Sequence, residues 1–115
     1  MCHVLIIEDD AIAAIDIKET LQSAGATSFA FATTEREAID CAREERPALI
    51  TCDVMLACGF GPSAVHTIEA ALGPLPVIFI TATPDQCGDC DPHPVLEKPF
   101  NTNVLASLFR EAAHV

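Results

Sequence analysis

Three carboxylates, a hydroxyl and an ammonium stand at the ends of four short apolar runs in this chain. VLII ends in Glu8-Asp9, ALITC in Asp53, VIFI in Thr81, and PVLE in Lys98-Pro99. If these runs are parallel strands of one sheet, the five groups meet at one carboxyl edge, where open α/β sheets bind ligands. Crowded carboxylates repel one another and raise each other's pKa unless a cation joins them. Oxygen donors of this kind call for a hard divalent metal, with Mg²⁺ the expected ion, and a metal so held invites a phosphate.

The elements that would position these groups can be read from hydrophobic periodicity. CHVLII (2–7) is a β-branched apolar run, and residues 11–24 carry Ile12, Ile15, Ile17 and Leu21 at roughly helical spacing. Gly25 suits a left-handed cap on that helix. TSFAFA (27–32) alternates like a strand, Thr34 with Glu37 forms a capping box, and a second helix is expected over 35–45 until Pro47 stops it. ALITCD (48–53) is continuously apolar, as a central strand covered on both faces must be. MLACGFGP reads as a loop, and Pro62 can take the first position of a third helix ending near Leu72. PVIFIT (76–81) and PVLEK (94–98) are the fourth and fifth strands, and Asn101 can cap a last helix reaching about Ala113. Between Thr81 and Pro94 lie only twelve residues, rich in breakers, which leaves little room for another full helix.

Composition narrows the function classes. One domain of 115 residues, half apolar and a fifth charged, suits a globular core. A formal charge of −11 repels polyanions, so direct nucleic-acid binding is disfavoured. No run approaches the ~20 apolar residues of a membrane span, and the start lacks a signal-peptide pattern, so a cytoplasmic protein that does not engage a membrane is expected. Cys2, Cys41 and Cys52 lie in apolar periodic segments, which favours reduced, mostly buried thiols over a disulfide framework.

With acids closing the first and third of five strands, the chain resembles the receiver domain of two-component response regulators over essentially its whole length, 1–115, as a single domain. The fold implied is a doubly wound, five-stranded parallel sheet of the flavodoxin-like and CheY-like kind, order 2-1-3-4-5, with helices on both faces and helix four short or absent. By the same resemblance Asp53, in TCDVML, is the phosphoacceptor, and Glu8 and Asp9 are the acidic pair that holds Mg²⁺ with it. Met55 matches the position whose backbone carbonyl completes the metal shell, Thr81 in ITAT the reporting hydroxyl, and Lys98 in EKPF the lysine that contacts the phosphoryl group. The Lys98-Pro99 bond is expected to be cis.

A receiver of this type takes a phosphoryl group from a histidine kinase or a histidine phosphotransfer protein, and catalyses only its own phosphorylation and dephosphorylation. VLIIEDD, VIFITAT and PVLEKPF look most like receivers of general stress response regulators, here without the sigma-factor-like domain that precedes them, so the expectation is a receiver signalling to another protein, either stand-alone, as the start at Met1 favours, or excised from a longer protein. Two positions depart from the pattern. Val95 stands where many receivers place a switch aromatic, and the short stretch 82–93 replaces much of the usual helix four and its output face.

Other readings of the same residues are blander. Glu8, Asp9 and Asp10 would suit a helix start, but capping alone does not account for Asp53 and Lys98, whereas Asp10 itself fits a cap. A constitutive, unphosphorylated interaction module would keep the fold. A phosphatase of the haloacid dehalogenase type would need a second aspartate where Met55 stands. Cys87 and Cys90, in CGDC with His93 beyond, could be a redox pair or part of a metal site, with a plain flexible loop preferred. Phe29, Phe31, Phe79 and Phe109 read as core, Phe100 as rim of the site, and His3 and His66 as structural or solvent-facing.

Overall fold

The computed structural model of the chain describes residues 2–88, 90 and 92–113; Asp89 and Asp91 of the Pro-rich stretch lie outside the described residues. Five parallel strands, β1 (His3–Ile7), β2 (Ser28–Ala32), β3 (Leu49–Cys52), β6 (Val77–Thr81) and β7 (Val95–Glu97), form one sheet in the order β2-β1-β3-β6-β7. This is the expected 2-1-3-4-5 arrangement, with its fourth and fifth strands numbered β6 and β7. The numbering shifts because the loop expected after Asp53 contains a small antiparallel hairpin, β4 (Met55–Leu56) and β5 (Gly59–Phe60).

Alternation decides which face each residue covers. Leu5, Ile7, Ile50, Cys52, Val77 and Phe79 project into one cluster with residues of α2 (Glu35–Glu44) and α3 (Gly61–Leu72). Val4, Ile6, Leu49, Ile78 and Ile80 project into the other, against α1 (Ala11–Ala24) and α4 (Thr102–Ala113). All residues of β3 and β6 are buried, because both faces are covered at the centre of the sheet.

Edge strand β2 is less protected. Phe31, expected in the core, is 48% exposed: its strand lies at the margin of the sheet, where the helices no longer close over it. Phe79 and Phe109 are buried as expected, and Phe29 is partly so.

Local signals account for the helix ends. Asp10 caps α1 by accepting from Ile12 and Ala13 N–H at 3.0 and 3.4 Å, and Gly25 closes it at φ 124°. Thr34 Oγ1 accepts from Glu37 N–H at 3.1 Å, but the Glu37 carboxylate reaches Thr33 N–H at 2.8 Å rather than Thr34, one residue outside the standard box. Asn101 Oδ1 accepts from Asn103 N–H at 2.8 Å and starts α4. Between β6 and β7 the described chain forms one 3₁₀ turn, Pro84–Gln86, in place of a fourth crossover helix. No helix among the described residues is long and apolar enough to cross a membrane.

Candidate functional site

Backbone pairing does not stop where the strands stop. Glu8 N–H donates to Ala32 O at 2.9 Å, Asp53 N–H to Ile7 O at 3.0 Å, and Lys98 N–H to Thr81 O at 2.8 Å. The residue following each of β1, β3 and β7 is therefore still held by the ladder, with its side chain free to turn over the carboxyl edge. Lys98, in a cis peptide bond to Pro99, reaches back across the sheet. Its Nζ donates to Glu8 Oε1 at 2.7 Å and to Asp53 Oδ2 at 2.9 Å.

Glu8 is 4% exposed and Asp53 8%. Burial pushes the Glu8 carboxyl up to about 7, and the neighbouring Asp53 charge adds to this, while the hydrogen bonds from Lys98 and from Asp10 N–H hold it back. Burial pulls the Lys98 ammonium the other way, but its bonds to the two carboxylates outweigh it and leave its pKa raised. Lys98 thus stays charged at neutral pH, and a divalent cation would compete with the proton for the Glu8 carboxylate.

Asp9 is exposed, and its Oδ2 accepts from Ala57 N–H at 2.6 Å, tying the end of β1 to the hairpin after Asp53. One carboxylate oxygen from each of Glu8, Asp9 and Asp53 lies within 4.8 Å of the others. Three oxygen donors against one ammonium leave excess negative charge, and this donor set fits a hard divalent cation. Met55, with its side chain half exposed, opens β4 two residues after Asp53 and pairs with Phe60. Thr81 ends β6 fully buried, and its Oγ1 lies 3.1 Å from the donating Thr83 N–H and 3.2 Å from Thr83 Oγ1. Glu8, Asp53 and Lys98 therefore meet in direct contact with an Asp9 oxygen close by, whereas the Thr81 hydroxyl is engaged with its own loop.

Three supports of this edge escaped sequence reasoning. A Cβ at Gly61 would overlap the Asp53 carbonyl oxygen and approach Cys52 Sγ to 2.7 Å, so α3 can begin under Asp53 only with glycine there. Glu35, the first residue of α2, accepts from Phe60 N–H at 2.8 Å and anchors the hairpin. Ala57 acts through its backbone and leaves no side-chain signal. Phe100 does line a groove beside Lys98 and Pro99, as expected, together with the cap Asp10 and Ile12 of α1.

The cysteines divide. Cys2 and Cys52 are buried and free, and Cys52 Sγ donates to Asp53 O at 3.2 Å; Cys41 is partly buried and Cys58 exposed. Cys87 and Cys90, expected reduced in a flexible loop, are instead joined by a disulfide, their Cα atoms 5.5 Å apart. Cys87 N–H bonds Pro84 O on one side of the pair and His93 N–H bonds Cys90 O at 2.8 Å on the other, and the Cα separation lies within bridging range. His3 Nδ1 meets Ser28 Oγ at 2.8 Å and so is structural.

Residues 4–110 match the family described as the response regulator receiver domain. The chain is similar to the phyllosphere-induced regulator PhyR of Methylorubrum extorquens, 34% identical over 96% of this chain and 43% of the relative. It superposes on the receiver domain of the Erythrobacter litoralis PhyR response regulator with a TM-score of 0.87, at 30% identity, over 98% of this chain and 90% of that one. It superposes on the anti-anti-sigma factor PhyR from Bartonella quintana with a TM-score of 0.83, at 34% identity, over 98% of this chain and 47% of that one. The chain thus spans less than half the length of the curated relative it matches.

Proposed function

Because this chain belongs to the response regulator receiver domain family, we propose that it accepts a phosphoryl group on Asp53 from a phosphohistidine and signals by changing its protein contacts. The observation that carries this is the Lys98 ammonium bridging buried Glu8 and Asp53 at 2.7 and 2.9 Å, with an Asp9 oxygen in reach of both carboxylates. A structural ion pair would need neither the third carboxylate nor the excess negative charge.

In this reading one Asp53 oxygen attacks phosphorus as the donor's nitrogen–phosphorus bond breaks, and the electron pair returns to the imidazole. Charge accumulates on the phosphoryl oxygens in such a loose transition state. Lys98 neutralises part of it, held in place by Glu8. Glu8, Asp9, Asp53 and the Met55 carbonyl would hold Mg²⁺, which would supply further charge neutralisation for the transfer. Thr81 would give up its bond to Thr83 to meet a phosphoryl oxygen, and this exchange is where input reaches the loop. Water later cleaves the oxygen–phosphorus bond. The donor is a histidine kinase or a phosphotransfer protein, and the similarity to a protein described as an anti-anti-sigma factor supports output through protein contact.

The competing reading, a constitutive interaction module, draws on the Thr81–Thr83 pairing and on the short 3₁₀ turn that the described residues form between β6 and β7. Incubation with acetyl phosphate and Mg²⁺ followed by intact mass separates the two. One added phosphoryl group on the wild type and none on Asp53→Asn is expected; an unmodified wild type overturns the phosphoacceptor reading.

A further inference from the structure

The connection after Thr81 carries a chemical group that the phosphoryl site does not use. Cys87 and Cys90 close a small ring immediately after the 3₁₀ turn, and the two sulfurs sit in unequal surroundings. Cys90 is 2% exposed and belongs to the cluster beneath α3, with Val77 and Phe79. Cys87 packs on that cluster from outside and is only partly buried. An attacking thiolate can therefore reach one sulfur and not the other, which is the asymmetry that directs thiol–disulfide exchange.

Among its described residues, the segment is held mainly by local bonds. Thr83 N–H bonds Thr81 Oγ1, Cys87 N–H bonds Pro84 O, and His93 bonds Cys90 O through its N–H. The His93 ring lies 6.1 Å from Phe79, centre to centre, with Nε2 3.5 Å from Glu69 Oε1 on α3. His93 is followed within two residues by β7, a three-residue edge strand whose register pairs Phe79 with Val95 and Thr81 with Glu97, and β7 delivers Lys98. The ring thus stands at the head of a short mechanical path to the functional edge.

We propose that Cys87 and Cys90 are a dithiol–disulfide exchange site, taking low-molecular-weight disulfides as oxidant, whose state sets the order of the surface between Thr81 and β7. Oxidation begins when the Cys87 thiolate attacks the small disulfide, forming a mixed disulfide and expelling one thiolate. Cys90 then attacks the Cys87 sulfur, the mixed bond breaks, and the second thiolate leaves. Two protein thiols and one disulfide give one protein disulfide and two small thiols, with the protons passing to the departing thiolates. In a compartment kept reducing, such a bond forms transiently, as redox-sensing pairs do. The site acts whether or not Asp53 is phosphorylated.

The test equilibrates the full chain across ratios of reduced to oxidised glutathione, quenches with an alkylating reagent, and maps modified cysteines by mass. Cys87 and Cys90 are expected to become protected together, following the square of reduced over the first power of oxidised glutathione, while buried Cys52 is unchanged. Hydrogen exchange on the same samples is expected to slow by about ten-fold or more across residues 82–97 on oxidation, with β1 and β3 unaffected. The C87S/C90S variant should exchange like the reduced wild type in either buffer. Alkylation of both cysteines at every ratio, a glutathione adduct on exposed Cys58 with the pair still reduced, or exchange in 82–97 indifferent to oxidation would each overturn the proposal.

Discussion

At the edge where β1, β3 and β7 end, three backbones continue the ladder one residue beyond their strands, and one ammonium ties two buried carboxylates together. Between Thr81 and Val95, the described backbone makes one 3₁₀ turn and a few local bonds, closed by a disulfide and one His–Glu contact. The first region is preorganised, its charges placed before any ligand arrives, which is what transition-state stabilisation demands. The second has few buried contacts and can change shape at low cost, which is what a reporting surface demands. The same sheet supplies both because the centre is covered on two faces and the far edge ends in a three-residue strand.

The largest break in this contrast comes from Lys98→Ala. Glu8 and Asp53 would be left buried without their cation, which costs about 3 kcal/mol in the metal-free protein at pH 8. Millimolar Mg²⁺ should restore much of the loss, and phosphoryl incorporation from acetyl phosphate should fall about 10²-fold. In the short connection, by comparison, Asp85→Ala removes an exposed side chain without a hydrogen-bond or ion-pair partner among the described residues and should change unfolding free energy by less than about 0.5 kcal/mol. Equal effects from the two substitutions in urea melts would show the regions to be held alike.

Gly61→Ala tests the same edge from below. Its Cβ would overlap the Asp53 carbonyl oxygen, so either α3 or the acceptor backbone must move. A loss of about 2 kcal/mol is expected, together with slower phosphoryl incorporation. Wild-type phosphorylation kinetics in that variant would show that the acceptor's position is not set by the start of α3.

The edge should also announce itself in pH dependence. The folded-state pKa of Glu8 is about 7 against an ordinary 4.5, so the folded protein holds a proton that the unfolded chain releases across that window. Stability of the metal-free protein therefore falls as pH rises from about 4.5 to about 7 and levels off above it. A cation that binds the ionised carboxylate should offset the fall, and Glu8→Gln should flatten it. Urea melts at stepped pH, with and without Mg²⁺, measure all three.

The contrast also explains what could be read in advance. The edge was legible because each of its groups follows an apolar run and carries a charge, and those two properties survive in a linear sequence. Gly61 and Ala57 were not, since a close backbone approach and an amide donor have no periodic signature. Phe31 was misplaced in the core because alternation tells which face a residue is on, not whether its strand is central or at the margin. Cys87 and Cys90 are legible in the sequence as a candidate redox pair, yet a plain flexible loop is the reading preferred there, because the spacing alone does not tell whether the backbone brings the two sulfurs together.

A smaller effect than those at the edge, and one of opposite sign, is expected in β3, two residues before Asp53. Thr51 is 1% exposed, flanked in register by Ile6 and Ile78, and its hydroxyl has no hydrogen-bond partner. A buried hydroxyl without a partner forfeits its hydration for nothing, so Thr51→Val, similar in shape, should stabilise the protein by about 1 kcal/mol. For a domain of this size that raises the melting temperature by about 5 °C. Phosphoryl incorporation at Asp53 should not change, because Thr51 projects to the α1 and α4 side of the sheet and makes no recorded hydrogen bond to the edge. A stabilised variant with altered phosphorylation would mean that the central strand tunes the site as well as supporting it, and the line between a fixed edge and an adaptable connection would have to be redrawn through β3.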